Sequence, residues 1–108
     1  MDCPVCGVKP GFWHRAGCGW EQCPYCGAHA IGCSCGRRGV PPDDRIRWSG
    51  ACPWLLACRQ FGFFERSMRG RWVPCPFDQP GSLPDIRRLL RSCHWDRAAQ
   101  QFVRRHAA

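Results

Sequence analysis

The stretch that decides the fold is a five-residue motif that occurs twice, as Cys3-Pro4-Val5-Cys6-Gly7 and as Cys23-Pro24-Tyr25-Cys26-Gly27. Two cysteines separated by two residues bring both sulfurs onto one ion when the chain turns tightly between them. Proline favours such a turn, and the following glycine tolerates the positive φ that often ends it. The sequence therefore predicts two metal-binding turns, with backbone N–H groups directed at the thiolates.

The composition indicates that apolar burial alone does not stabilise this chain. Its 108 residues include eleven Cys, twelve Gly and ten Pro, but only 19 Val, Ile, Leu and Phe. The six Trp and six Phe offset part of this deficit, because each ring buries a large area. A bound metal is a common additional source of stability in small proteins. A large helical or α/β enzyme domain is excluded.

The cysteines and the N-terminus also bear on the compartment. No run approaches the ~20 apolar residues of a membrane span, and residues 1–4 lack the basic and apolar regions of a secretory signal. We therefore expect a cytoplasmic protein with no membrane segment, where reducing conditions favour metal ligation over disulfides. The odd number of cysteines also excludes complete pairing within one chain.

The spacing Cys3-x2-Cys6-x16-Cys23-x2-Cys26 lies within the range typical of a four-cysteine zinc site. Residues 1–27 resemble a zinc ribbon of the paired-knuckle, or rubredoxin, type. The resemblance implies one structural Zn²⁺ held by these four cysteines, and it implies no particular function. Rubredoxins carry the same knuckles and bind iron for electron transfer, so an iron carrier is an alternative. Their longer spacing and acidic character differ from this chain.

Further donors close to the two motifs leave the ligand set open. In one alternative, Cys33 and Cys35 complete a site with the second motif, and His14 and Cys18 complete another with the first. In a second alternative, Cys18 joins Cys33 and Cys35 beside the ribbon, with His29 also near. We expect one zinc ion, and these donors leave room for a second. The remaining cysteines are too scattered to assign, and two of them, Cys58 and Cys93, are expected in the core.

We divide the chain into a Cys-rich module, residues 1–36, a linker, residues 37–44, and a basic module, residues 45–108. The expected fold is a small, metal-stabilised α+β protein in which an N-terminal zinc-ribbon hairpin accompanies a basic hairpin-and-helix module. Short aromatic stretches predict the strands of the first hairpin over residues 11–15 and 19–22. Whether the two modules share one core is left open.

The basic module contains patterns for both helix and hairpin. A short helix is predicted over residues 53–60, and a hairpin over residues 61–66 and 71–75. Ser82 is a candidate cap for a second helix, with Pro84 and Asp85 in its first turn. Ile86, Leu89, Leu90 and Cys93 then recur on one helical face, and Trp95, Ala98, Ala99 and Phe102 fit its continuation.

The net charge of +8 falls entirely on residues 45–108, where twelve arginines oppose four acidic side chains. One hypothesis is a protein-interaction module that binds an acidic partner. Another is nucleic-acid binding, because the arginine guanidinium group binds phosphate well and the interleaved aromatic rings can stack on bases. The candidate nucleic-acid-binding residues are Arg87, Arg88, Arg91, Arg104 and Arg105. Nothing in the sequence indicates an oligomeric state.

Motifs of catalysis are missing from the sequence. It contains no phosphate-binding Walker loop, no His-Glu-x-x-His, no Gly-x-Ser-x-Gly and no zinc-deaminase pattern. A four-cysteine zinc site is closed, whereas a catalytic zinc keeps an open position. We therefore expect a protein that is not an enzyme.

Overall fold

The helices and strands lie in the C-terminal part of the chain in this computed structural model, which describes residues 1–33, 35 and 44–105. The predicted small α+β class is confirmed, with two helices and two small antiparallel sheets. The helices are α1 (Pro53–Phe61) and α2 (Ile86–Ser92), and the strands are β1 (Phe64–Met68), β2 (Arg71–Pro74), β3 (Leu83–Pro84), β4 (Cys93–Asp96) and β5 (Gln101–Arg104). One sheet has the order β2-β1-β3, and the other pairs β4 with β5.

Helix α1 lies where the sequence predicts it. Pro53 occupies the first turn, where its missing N–H leaves no hydrogen bond unmade, and Gly62 ends the helix with φ 75°. Trp54, Ala57 and Cys58 are its buried residues, at the i, i+3, i+4 spacing of a single helical face. That face forms the centre of the larger core.

The predicted hairpin is confirmed in β1 and β2, which pair from Glu65–Pro74 to Met68–Arg71. Its first strand covers Phe64–Met68 and not the predicted residues 61–66, because Phe61 belongs to α1 and Gly62 ends that helix. Its turn residues, Arg69 and Gly70, have φ values of 49° and 78°. Two consecutive positive φ angles are typical of the tight turns whose twist matches that of the strands. The strand β3 adds to β1 only at its first two residues, so the tip of the hairpin extends beyond the sheet.

The start of α2 differs from the prediction. Asp85, not Ser82, is the cap, because its carboxylate accepts a hydrogen bond from the N–H of Arg88 at 3.1 Å. The Ser82 hydroxyl instead donates to the carbonyl of Phe77. The helix ends at Ser92, and the residues that fit its continuation form the hairpin β4–β5.

The two strands predicted for residues 11–15 and 19–22 are not formed. In the part of the chain described before α1, strand-like pairing is limited to an isolated antiparallel bridge between Gln22 and His29. Residues 11–22 instead form turns that bring His14 and Cys18 back to the first cysteine turn. The turns that bring these two side chains to the first cysteine turn therefore replace the strands predicted from the short aromatic stretches.

Two clusters of buried residues form the interior. The larger one combines α1, α2 and both sheets, and the smaller one consists of Cys3, Cys18 and Trp48. Trp48 belongs by sequence to the predicted basic module, yet its N–H donates to the carbonyl of Phe12 and its indole donates to the carbonyl of Met1. The segment before α1 therefore packs against the Cys-rich module. Of the predicted linker, residues 37–43 lie outside the described residues.

No helix in the described residues has the length and apolar character needed to cross a membrane.

The structure predicts unequal effects for the same substitution in the two motifs. A Cβ at Gly27 would lie 2.9 Å from the Phe102 ring and from Trp95 Cβ, whereas one at Gly7 would meet nothing within 4 Å. Both glycines have positive φ, so Gly7→Ala measures the backbone cost alone, roughly 1–2 kcal/mol. Gly27→Ala should cost about 1–3 kcal/mol more in the free energy of unfolding, because the core is overpacked there. Chemical unfolding of the metal-loaded variants measures this difference, and equal losses would contradict the packing.

Candidate metal centre

The two cysteine turns have the same backbone geometry. In the first, Gly7 N–H donates to the carbonyl of Cys3 and Cys3 N–H to that of Val8, both at 2.8 Å. In the second, Gly27 N–H donates to Cys23 at 2.9 Å and Cys23 N–H to Ala28 at 2.8 Å. The predicted turns are therefore formed twice by the same local sequence.

The loop that follows each turn supplies two more donors. One cluster consists of Cys3, Cys6, His14 and Cys18, and the other of Cys23, Cys26, Cys33 and Cys35. Within each cluster, one potential ligand atom from every residue lies within 4.8 Å of all the others. Each cluster thus offers the four donors of a tetrahedral ion, within a segment of 16 or 13 residues.

The structure groups the predicted ligands differently from a paired-knuckle ribbon. It places Cys3 and Cys6 in one cluster and Cys23 and Cys26 in the other, in the arrangement of the two-ion alternative. Neither cluster contains His29, whose ring stacks on Trp54 at 3.9 Å between centroids. Burial lowers the pKa of His29, and its stacked ring packs against the core instead of joining a cluster.

Distances in the first cluster fit a tetrahedral ion. The sulfurs of Cys3 and Cys18 are 3.8 Å apart, and Cys6 Sγ lies 3.5 Å from His14 Nδ1. Metal–sulfur bonds of about 2.3 Å and metal–nitrogen bonds of about 2.0–2.1 Å, at tetrahedral angles, give separations of about 3.8 Å and about 3.6 Å. Two of the six donor pairs therefore already have the separations expected in a coordination tetrahedron.

The buried Trp48 and the half-buried Arg45 hold His14 in place. Its ring meets Trp48 edge-on at 5.6 Å, and its carbonyl accepts a hydrogen bond from Arg45 Nη2 at 2.9 Å. Arg45 also forms a two-point ion pair with Glu21, which lies two residues before the second motif. This ion pair links the loop of the first cluster to the entry of the second. Sequence reasoning missed the link, because a lone Arg and a lone Glu 24 residues apart give no local signal.

The second cluster is attached to the larger core. The N–H of Tyr25 donates to Cys23 Sγ at 3.4 Å, as predicted for a metal-binding turn. On the other side of the turn, the carbonyl of Gly27 accepts from Trp54 Nε1 at 2.8 Å, and that of Pro24 accepts from Trp95 Nε1 at 3.1 Å. Two indoles of the C-terminal part therefore bind the backbone of one cysteine turn.

The environment of the thiols makes metal binding a proton-releasing step. Burial raises the pKa of Cys18 to about 11 and that of Cys26 to about 12. Burial also raises the pKa of Cys6, but hydrogen bonds from the backbones of Arg15 and Val8 and from His14 outweigh it and bring the pKa to about 6. Because the metal ligand is the thiolate, an ion entering either cluster must displace protons.

The four cysteines outside the clusters pack in or against the larger core. Cys58 and Cys93 are buried, as predicted, and Cys52 and Cys75 are half-buried against the same cluster. Burial raises the pKa of Cys58 to about 11, with a smaller contribution from the charge of Asp85. These are the properties of structural thiols.

The arginines proposed for nucleic acid fall into two groups. Arg88 and Arg104 lie over the ring of Phe63, at 4.5 and 5.2 Å from its centroid. Arg87, Arg91 and Arg105 are exposed and have no carboxylate partner among the described residues. The first group contributes to packing, and the second leaves charge at the surface.

Comparisons with protein-family models, with curated proteins and with solved structures found no match for this chain. The geometry of the site defines a small Cys-rich protein with two clusters suited to binding metal.

The grouping of ligands predicts the metal content of single variants. Under competition with a chelator, the protein should retain two ions, and Cys18→Ala and Cys33→Ala should each retain one, because each removes a ligand from a different cluster. Cys75→Ala, outside both clusters, is the matched control and should retain two. Native mass spectrometry measures the count. A single ion that survives both Cys18→Ala and Cys33→Ala would contradict the grouping and restore the ribbon site.

Burial predicts the reactivity of the other thiols. In metal-loaded protein at pH 8, Cys58 and Cys93 should resist alkylation, because they are 0% and 2% exposed and burial raises both pKa values. The half-buried Cys52 and Cys75 serve as internal controls and should react faster. Peptide mass spectrometry after timed iodoacetamide treatment gives the rates. Equal rates at Cys58 and Cys75 would show that this core opens readily.

Proposed function

We propose that this protein is a two-zinc binding module whose ions are structural and whose arginine-rich surface binds an acidic protein partner. The observation that carries the metal assignment is the pair of clusters, each with four donor atoms within 4.8 Å. Three thiolates with one imidazole, and four thiolates, are two of the common ligand sets of structural zinc. Elemental analysis of purified protein distinguishes zinc from iron, and iron in both clusters would contradict the assignment.

The donor sets support a structural role for the ions. Four protein ligands leave no position for water or substrate on a tetrahedral zinc. Structural zinc contributes roughly 10–16 kcal/mol in small peptides, comparable with the stability of a whole domain. In a chain with few aliphatic residues, the ions would hold the N-terminal turns together while the aromatic core stabilises the rest.

The tip of the β1–β2 hairpin supports a docking role. Trp72 is 57% exposed and Met68 is 45% exposed, next to the exposed Arg69 and Arg71. Tryptophan, methionine and arginine are enriched in protein interfaces. Neither arginine has a carboxylate partner among the described residues, so an acidic partner would supply one. The cross-strand pairs Ser67–Trp72 and Met68–Arg71 place Trp72 on one face of the hairpin and Met68 on the other. The hairpin would therefore present an exposed indole close to unpaired positive charges.

Nucleic acid is a second candidate, favoured by a different surface. The ring of Trp13 is 38% exposed, with the guanidinium of Arg47 at 4.3 Å from its centroid. Phe12 beside it is 63% exposed. Exposed rings next to guanidinium groups suit stacking with unpaired bases. The unpaired Arg87, Arg91 and Arg105 would add attraction for phosphate.

Site-specific crosslinking tests the hairpin surface. A photoreactive residue in place of Trp72 should capture a protein after nuclease treatment, and Arg71→Glu should abolish the capture because it reverses a charge at the contact. A photoreactive residue in place of the exposed Phe77 is the control and should capture less.

The competing outcome is binding of labelled single-stranded oligonucleotides that weakens steeply between 50 and 200 mM salt. If that binding is reduced by Arg87→Ala and Arg91→Ala while crosslinking from position 72 recovers no protein, nucleic acid replaces protein as the partner. Matched salt series on the wild type and on Arg71→Glu separate the two surfaces.

A further inference from the structure

A cavity of about 280 Å³ lies between the first metal cluster, helix α1 and the β4–β5 hairpin. Its walls include the indoles of Trp20, Trp48 and Trp95, and also four glutamine side chains. Arg47, His14 and Ser49 are the other polar residues of the lining, and no carboxylate of the described residues contributes to it. Ligand sites of this kind combine apolar walls with a few fixed polar groups.

Gln22 provides a fixed acceptor in this cavity. The residue is only 4% exposed, and its Nε2 donates to the carbonyl of Gly27 at 3.0 Å. Because that carbonyl can only accept, the amide is oriented with its nitrogen towards Gly27 and its oxygen on the other side. Among the described residues, no donor meets this oxygen. A ligand N–H group in the cavity would satisfy it.

Arg47 provides a positive charge at the edge of the cavity. Its side chain is exposed and lies over the ring of Trp13, and it has no carboxylate partner among the described residues. An anionic group at the edge would therefore meet an unpaired guanidinium. The cavity itself holds indole walls and amides, which suit a planar, uncharged ring.

We propose that this cavity binds a nucleobase that carries a phosphate. The ring packs against the indole walls, an N–H of the base donates to Gln22 Oε1, and the phosphate lies at Arg47. Aromatic stacking combined with amide recognition of the base edge is a general means of holding unpaired bases. The base can come from a free nucleotide or from a single-stranded nucleic acid, and both sources present the same chemistry. This site is separate from the hairpin surface and does not depend on the proposed protein partner.

A further lining residue gives an informative variant. Gln100 lies in the turn between β4 and β5 with φ 53°, a conformation that glycine adopts at no steric cost. Gln100→Gly therefore removes one amide from the lining without adding backbone strain. If Gln100 does not contact the ligand, Gln100→Gly should bind it as tightly as the wild type does. If Gln100 contacts the ligand, the variant should fold normally but bind it more weakly.

The test uses full-length, metal-loaded protein and tryptophan fluorescence, because three indoles line the cavity. Nucleoside 5′-monophosphates, the matching nucleosides and short single-stranded oligonucleotides are titrated at 50 mM salt. Arg47→Ala should weaken binding of the monophosphates about tenfold and leave nucleoside binding unchanged, because the lost contact is one charge-assisted pair. Arg59→Ala removes the same charge outside the cavity lining, where the guanidinium lies over the exposed ring of Phe77, and should change nothing.

Gln22→Leu should weaken the binding of nucleosides and of nucleotides equally, because it removes the acceptor for the N–H group of the base. If this variant fails to retain two metal ions, the comparison of Arg47→Ala with Arg59→Ala still decides the outcome. Binding of monophosphates with the expected effect of Arg47→Ala assigns the site to free nucleotides. Binding of oligonucleotides alone, with the same dependence on Arg47, assigns it to a single strand. No saturable binding up to millimolar concentration, or equal effects of Arg47→Ala and Arg59→Ala, would overturn the proposal.

Discussion

The hydrogen bonds between the second cysteine turn and two indoles, of the buried Trp54 and the half-buried Trp95, are the constraint on which the rest of the structure depends. The carbonyl of Gly27 accepts from both Trp54 and Gln22, and the carbonyl of Pro24 accepts from Trp95. A buried indole N–H without an acceptor is costly, so these bonds set where the core and the turn meet. The turn therefore presents thiols on one side and carbonyls on the other, and it connects the metal-binding part to the hydrophobic core.

The shortage of aliphatic residues explains how the arginines are used. Rings occupy the core positions that Leu and Ile fill elsewhere, and some of these rings remain partly uncovered. Arg88 and Arg104 lie over Phe63, and Arg97 lies over Tyr25 while pairing with Asp44. A planar guanidinium covers an aromatic face and still reaches water, which a lysine ammonium does less well. Part of the positive charge is therefore a consequence of the aromatic core, and the unpaired remainder is available for a partner.

The sequence alone predicted those elements whose structure is determined by local interactions. Both cysteine turns, helix α1 and the β1–β2 hairpin follow from residues within a few positions of one another. The grouping of the ligands was not determined in this way, because two equally local motifs can share one ion or bind one each. The choice depends on the loops after each motif, and the spacing of His14 and Cys18 gave the signal for it. The domain boundaries and the partner remain predictions.

The end of α2 shows a second limit of pattern reasoning. Trp95 and Phe102 are seven residues apart, which places them on one helical face, but they are also directly opposite each other in the β4–β5 hairpin. Their rings meet edge-on at 5.0 Å. Periodicity alone cannot separate these outcomes, and tertiary contacts decide between them. Here the hairpin places Trp95 within hydrogen-bond distance of the Pro24 carbonyl. This hydrogen bond favours a helix that ends at Ser92.

Each cluster is connected to a tryptophan that lines the same cavity. The first cluster contacts Trp48 through the ring of His14, and the second orders Trp95 through the carbonyl of Pro24. Both indoles line the cavity, and the Arg45–Glu21 ion pair joins the segments that carry the clusters. With a metal ion in each cluster, neither wall could shift without disturbing a coordination sphere. Two small sites, each closed by a short loop, would thus position the indoles that line the cavity. The few aliphatic residues of this chain would not fix these indoles by packing alone.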